Sequence, residues 1–285
     1  MKPILLPNLP YPEGFDLEVA RLSARLILQA YAMFDQWETR KPDEEDFQWN
    51  RPRPPVPGLT YLDPLWATYR FAQHLPPRHA HETGRVRWVD RACPIGFLAH
   101  DDTRLFIVFR GTQTDYEWMK VNLKFLQQDC DVDRFSEGRA HAGFLAYYKT
   151  VRRTLVRRVE SLGLADKEVI LTGHSLGGAL STLAAHDLAE EPAPTTTFRH
   201  YTFGAPRVFN PKLARYYNDL PVSTFRIVNV EDAVTTVPLP VAGKLTYQHV
   251  GTPICFSANY GEIGSNHSME NYLHALEHPD QPQAT

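Results

Sequence analysis

Apolar residues fall into two different patterns along the chain. Leu17, Ala20, Ala24, Leu28 and Tyr31 recur at helical spacing, and Asp16 stands where an N-cap belongs. That spacing predicts a helix from Asp16 to Phe34. Residues 40–60 are charged and proline-rich, and the run Arg51-Pro-Arg-Pro-Pro-Val-Pro-Gly58 reads as an extended surface crossing or a ligand for a polyproline-reading module. From residue 86 the pattern shortens to β-rich runs. Ala92 to His100 and Leu105 to Phe109 are predicted strands, joined by a turn at Asp101–Arg104. Leu105-Phe-Ile-Val-Phe109 is apolar on both faces, as a central strand is. A basic amphipathic helix follows over residues 143–161, then a buried strand from Glu168 to Thr172 and an Ala/Leu-rich helix from Leu176 to Glu190. Tyr201–Phe203 and Thr224–Val228 read as strands, with a helix opened by Asn210 and Pro211 between them. Tyr247–Ser257 reads as a late strand and Asn266–Glu277 as a last helix. Strand and helix alternate from residue 105 onward, which predicts an α/β fold: a mainly parallel sheet with helices on both faces.

Length and composition narrow this picture. With 285 residues, 43% hydrophobic and 22% charged, the chain can bury a sizeable core. No linker separates two cores. The expectation is one domain over residues 1–285, with an N-terminal helix and proline-rich segment (1–85) and a catalytic core (86–277). Thirty Lys+Arg against 33 Asp+Glu give a net charge of −3, without the basic cluster that nucleic-acid binding needs. No run of about 18 apolar residues predicts a membrane helix. Prolines interrupt the N-terminus before any signal-peptide core forms, so a cytoplasmic location is expected. Cys93, Cys130 and Cys255 lack metal-ligand spacing and read as reduced thiols; no metal site is expected.

Candidate chemistry centres on Gly173-His174-Ser175-Leu176-Gly177-Gly178. This is G-x-S-x-G with a strand before it and a helix after it, the context of a nucleophile elbow. A serine hydroxyl needs a base, and the base needs an orienting acid. Asp232, just past the strand that ends near Asn229, is the preferred acid and Glu231 the fallback. His186, His200, His249, His267, His274 and His278 compete as base. His249 is placed inside a strand and His278 in a polar tail, whereas His267 occupies a Gly/Ser/Asn-rich loop at the start of the last helix. The backbone N–H groups of Leu176 and Thr112 are the candidate oxyanion donors, Thr112 following the central strand 105–109.

Taken together, six segments resemble the class 3 lipases, the fungal-lipase-like family. They are Phe109-Arg-Gly-Thr112, Ala140-His141-Ala-Gly-Phe-Leu145, Gly173–Gly178, Tyr201-Thr-Phe-Gly-Ala-Pro-Arg207, Arg226-Ile-Val-Asn229 with Asp232, and His267-Ser-Met-Glu-Asn-Tyr272. Ala140 stands where the family has Val, and residues 233–238 stretch the family's V-P-x-[LF]-P run. The resemblance implies an α/β-hydrolase fold with Ser175, Asp232 and His267 as catalytic triad and Thr112 and Leu176 as oxyanion donors, and no cofactor. His141 and the stretch Tyr201–Arg207 are expected to be structural. The implied activity is ester hydrolysis of acylglycerols or related lipids, with transient contact to a lipid surface. Phospholipase A1 or galactolipase activity on the same triad is the alternative, and a non-catalytic lipid- or partner-binding scaffold a further one. The family places its lid between Thr112 and His141. There, Tyr116, Met119, Leu123 and Leu126 form one apolar stripe and Trp118, Val121 and Phe125 another. The helix they predict is either a lid or an ordinary packed helix.

Overall fold

The computed structural model describes residues 11–51, 56–75, 85–112, 127–129, 138–164, 166–190 and 195–278. The expected lid residues Tyr116, Trp118, Met119 and Leu123, together with Cys130 and most of the proline-rich runs, lie outside the described residues. Helix α1 (Leu17–Arg40) is capped by Asp16, whose carboxylate accepts from the amides of Glu18 and Val19. It runs one and a half turns past the predicted end because Met33, Phe34 and Trp37 continue its buried stripe.

Strands β1 (Thr60–Tyr61), β2 (Leu65–Leu75), β3 (Arg85–His100) and β4 (Arg104–Phe109) are antiparallel. The Asp101 carboxylate closes the β3–β4 turn by accepting from the amides of Thr103 and Arg104. From β4 the sheet becomes parallel, in the order β4-β7-β8-β9-β12, through β7 (Glu168–His174), β8 (Thr197–Phe203), β9 (Val222–Asn229) and β12 (Thr252–Phe256). Two small ladders stand apart: β5 (Gln127–Asp129) with β6 (Arg139–His141), and β10 (Val241–Ala242) with β11 (Leu245–Thr246). Two strands of the main sheet, β1 and β2, precede residue 86, so the sheet is not confined to the expected core segment 86–277. The predicted strand 247–257 is shorter than expected, and His249 lies in irregular chain before β12 rather than within a strand.

Alternation along β4 shows how the layers form. Leu105, Ile107 and Phe109 join a core with Leu145 and Tyr148 of α2 (Ala142–Leu162) and Leu180 of α3 (Leu176–Ala189). Phe106 and Val108 face the opposite core, with Ala24, Ile27 and Ala30 of α1 and Tyr272 of the last helix. Helices therefore cover both faces of a central sheet whose strands are apolar on both sides. His141 caps α2 by accepting from the Phe144 amide, the structural role expected of it. Asn210 likewise caps α4 (Pro211–Asp219) through the Leu213 amide. The last helix, α6 (Met269–Glu277), begins three residues later than the predicted Asn266; a one-turn helix, α5 (Ile263–Asn266), precedes it, and His267 sits between the two.

Candidate active site

Ser175 is the single residue between β7 and α3. Its backbone is held at φ +56°, ψ −125°, a left-handed conformation that costs an L-residue energy and is kept only where the surroundings enforce it. The tightness of the turn explains its glycines. A Cβ on Gly173 would lie 2.1 Å from the Gly177 carbonyl oxygen, and one on Gly177 would lie 2.4 Å from that of Arg110. Any side chain there would push α3 off the strand ends. Leu176 opens the helix, so its N–H belongs to the first-turn donors that have no carbonyl inside the helix. The macrodipole adds a favourable field for negative charge at the same place.

The loop after β4 comes directly against this turn: a Cβ on Gly111 would sit 2.8 Å from the Cβ of Ser175. Thr112, the expected second oxyanion donor, is the next residue. Arg110 fixes the loop. Its buried guanidinium donates to the carbonyls of Pro94 (2.9 Å) and Gly111 (2.6 Å) and lies over the Phe34 ring at 3.6 Å.

Asp232 follows β9 and is fully buried. Its Oδ2 accepts from His267 Nδ1 at 2.6 Å and from the Tyr272 hydroxyl at 2.7 Å, and its Oδ1 accepts from the Val234 amide at 2.8 Å. Burial, then the adjacent Asp232, push the Tyr272 phenol well above its ordinary range, so it is the donor. Asn229 joins the acid loop to the histidine loop. Its Nδ2 donates to the carbonyls of Ala258 and Asn266, and its Oδ1 accepts from the Ala258 amide. Glu231, the fallback acid, is exposed, and among the described residues its carboxylate accepts from the Ser257 hydroxyl rather than from a histidine.

His267 Nε2 is buried without a hydrogen-bond partner among the described residues. The imidazole is thus fixed at Nδ1 and unengaged at the nitrogen a base would use. Gly204, at φ +56°, makes room for the acid–base pair: a Cβ there would stand 2.8 Å from Asp232 Oδ2 and 3.0 Å from His267 Cε1. Ser175 N donates to the carbonyl of the adjacent Phe203, so the same bend carries the serine turn. The stretch Tyr201–Arg207, expected to be structural, supplies this part of the site.

The other histidines are elsewhere. His200 is buried between Ser181 and Tyr217, His249 donates to the Thr235 carbonyl, and His274 of α6 lies against the ring of His278 just beyond the helix end. His174 is nearer: its ring centroid lies 4.5 Å from that of His267. Burial, and then the neighbouring His267, hold it well below the usual histidine range, so it is neutral. Its Nδ1 accepts from the Tyr31 hydroxyl at 2.7 Å, and that hydroxyl accepts from the Gly111 amide at 3.0 Å. Tyr31 therefore joins α1, the serine turn and the oxyanion loop.

The structure thus joins Asp232 to His267 directly, sets both over Gly204, and places the Ser175–Leu176 turn against the loop that leads to Thr112. Three contributors went unrecognised in the sequence. Tyr272 lay inside a matched motif, Tyr31 lay in a helical stripe read as core, and Gly204 lay in a stretch read as structural.

The class 3 lipase family model matches residues 106–242. The chain is 30% identical over 257 residues to a phospholipase A1 of Oryza sativa subsp. indica, covering 73% of this chain and 56% of that protein. It is 33% identical over 162 residues to a lipase of Rhizomucor miehei, covering 55% and 43% respectively. The chain spans about half the length of the curated relatives it matches. Among solved structures, a lipase from Rhizopus microsporus var. chinensis superposes with a TM-score of 0.55 at 23% identity, over 88% of this chain and 82% of that one. Lipase II from Rhizopus niveus gives 0.54 at 23% identity, over 82% and 76%. Both likenesses place the chain in the α/β-hydrolase fold.

Proposed function

Because the chain belongs to the class 3 lipase family, we propose that it is a serine carboxylic-ester hydrolase acting on acylglycerols or related lipid esters. The observation that carries this reading is the 2.6 Å contact between His267 Nδ1 and Asp232 Oδ2, packed over Gly204 beside the strained turn of Ser175.

Each group then has a step. Ser175 Oγ attacks the ester carbonyl as His267 Nε2 takes its proton. Asp232 holds the imidazole in the Nδ1–H tautomer and faces the positive charge that forms. The N–H groups of Leu176 and Thr112 donate to the tetrahedral oxyanion; one such donor contributes about 3 kcal/mol to lowering the barrier. His267 returns the proton to the departing alkoxide, leaving an acyl-serine. Water repeats the sequence and releases the fatty acid.

Phospholipase A1 or galactolipase chemistry is the second reading. The alignments with a plant phospholipase A1 and a galactolipase of Arabidopsis thaliana span 73% and 70% of this chain, against 55% for the Rhizomucor miehei lipase. Transient contact with a lipid surface fits the exposed Leu239, Val241 and Ile263, which flank the acid and histidine loops.

A fluorophosphonate probe tests the nucleophile. Ser175 is expected to be labelled, and Ser175→Ala to abolish both labelling and hydrolysis of p-nitrophenyl esters. Persistent labelling in the variant refutes the assignment. Release of fatty acid from a triacylglycerol, a phosphatidylcholine and a galactolipid, compared side by side, separates the two substrate readings.

A further inference from the structure

Away from the serine turn, β8 and β9 border a small cavity with Pro206, Val208, Phe209 and the segment 248–250. Thr202 and Arg226 are register partners on these two strands, so their side chains emerge on the same face, and both line the cavity. Each brings a buried polar atom with no hydrogen-bond partner among the described residues: Thr202 Oγ1 and Arg226 Nε. Thr202 is only 2% exposed. A buried hydroxyl or guanidinium N–H left in that condition costs on the order of 1–3 kcal/mol, and more where charge is involved.

Charge makes the site selective. No carboxylate among the described residues pairs with Arg226 or faces it. Its titratable neighbours are another guanidinium, Arg207, and the Cys255 thiol, which burial pushes up and keeps neutral. Burial pushes the Arg226 guanidinium down to about 10, and Arg207 adds to that direction. His249, a further lining residue, is driven down to about 3 by burial and by Arg226 and Arg207, so it adds no charge of its own. The cavity volume is about 10 Å³, on the scale of a single water-sized occupant.

We propose that this cavity is a binding site for a small anion of the halide class. The anion accepts from Arg226 Nε–H and Thr202 Oγ1–H and supplies the negative charge that the chain does not provide. Its position couples it to the acid loop. His249 donates to the Thr235 carbonyl, and Arg207 donates to the carbonyls of Thr236 and Pro238, so the residues after Asp232 hang from this cationic cluster.

Crystals soaked in sodium bromide, measured at the bromine absorption edge, test this directly, with melting temperatures in sodium bromide and sodium methanesulfonate at equal ionic strength. An anomalous peak within hydrogen-bond distance of Thr202 Oγ1 and Arg226 Nε is expected. So is a saturable rise of about 3 °C in bromide over the bulkier anion. Thr202→Val is isosteric and leaves no orphan hydroxyl. It should keep its melting temperature in methanesulfonate and lose the bromide-dependent rise, and Arg226→Met should lose the rise as well. A cavity without an anomalous peak, or a bromide rise that Thr202→Val retains in full, overturns the proposal.

Discussion

At the scale of single residues, the site depends on groups outside Ser175, Asp232 and His267. Gly204 is one. A methyl group there would meet Asp232 Oδ2 at 2.8 Å and His267 at 3.0 Å, on a backbone at φ +56° that also disfavours a side chain. Gly204→Ala is therefore expected to displace the acid–base pair and lower kcat about 100-fold, the usual consequence of an ångström of misplacement. Ester-hydrolysis kinetics check this; near-normal kcat would mean that the pair does not sit where the structure has it. Tyr272 is a positioning residue of another kind, since its hydroxyl is one of three donors converging on Asp232. Removing a charge-assisted hydrogen bond costs roughly 1.5–3 kcal/mol. Tyr272→Phe should lower kcat by about tenfold or more while leaving KM unchanged, with kcat referred to the fraction of enzyme shown folded by circular dichroism, so that a loss of folded protein does not imitate the effect. Ser175, Asp232 and His267 were legible because each stands in a local pattern whose geometry the neighbouring residues enforce. The Tyr272–Asp232 bond spans 40 positions, and that of Tyr31 to His174 spans 143. No periodicity in one segment encodes a partner so far away.

Among elements, helix α1 shows the same limit and its reason. Its extent and buried face follow from apolar spacing and an aspartate cap. That it also forms a wall of the site follows only from docking, which sets Tyr31 against Gly111 and His174. Burial raises the Tyr31 phenol far above its usual range, so it stays protonated and donates to the neutral His174 while taking the Gly111 N–H. Tyr31→Phe leaves that N–H without its acceptor and frees the oxyanion loop at Thr112. The expected result is a roughly tenfold fall in kcat/KM with acyl-enzyme formation slowed, measured by the burst of p-nitrophenol. Strand β2 was not legible. Its eleven residues pair with β3. Asp63-Pro64 and Pro76-Pro77 bracket it and Ala67, Tyr69 and Phe71 alternate with Thr68 and Arg70, but the polar residues Gln73 and His74 and the neighbouring proline-rich run made the segment read as part of an N-terminal crossing. The late start of the last helix has a related reason: Asn266 is held by bonds to Tyr260, Glu231 and Asn229 at the end of α5, and the non-helical His267 beside it reaches Asp232.

For the molecule as a whole, a sheet covered on both faces leaves polar groups buried beside it, and several are histidines held neutral. Burial pushes His200 down to about 3 and His186 to about 4. His200 is neutral for a reason visible in its bonds. Ser181 gives its proton to the Gly178 carbonyl, so it accepts from His200 Nε2–H, and Nδ1 then accepts from the Tyr217 hydroxyl. A second proton on the ring would leave two donors facing each other. The ordinary histidine pKa of 6.5 applies in the unfolded chain, so between pH 6.5 and about 3 the unfolded state holds one more proton at this position than the folded state. Stability contributed here is fully present above pH 6.5 and falls as the pH drops through that window, by about 1.4 kcal/mol per pH unit. His200→Gln places an uncharged amide at the same point of the core. It is expected to weaken the protein at neutral pH, yet to make the loss of stability between pH 6 and 4 shallower by about that amount per unit, as read from urea unfolding at several pH values. An unchanged slope would mean that His200 charges within the folded core, and that the hydrogen-bond chain from Gly178 to Tyr217 does not fix its tautomer.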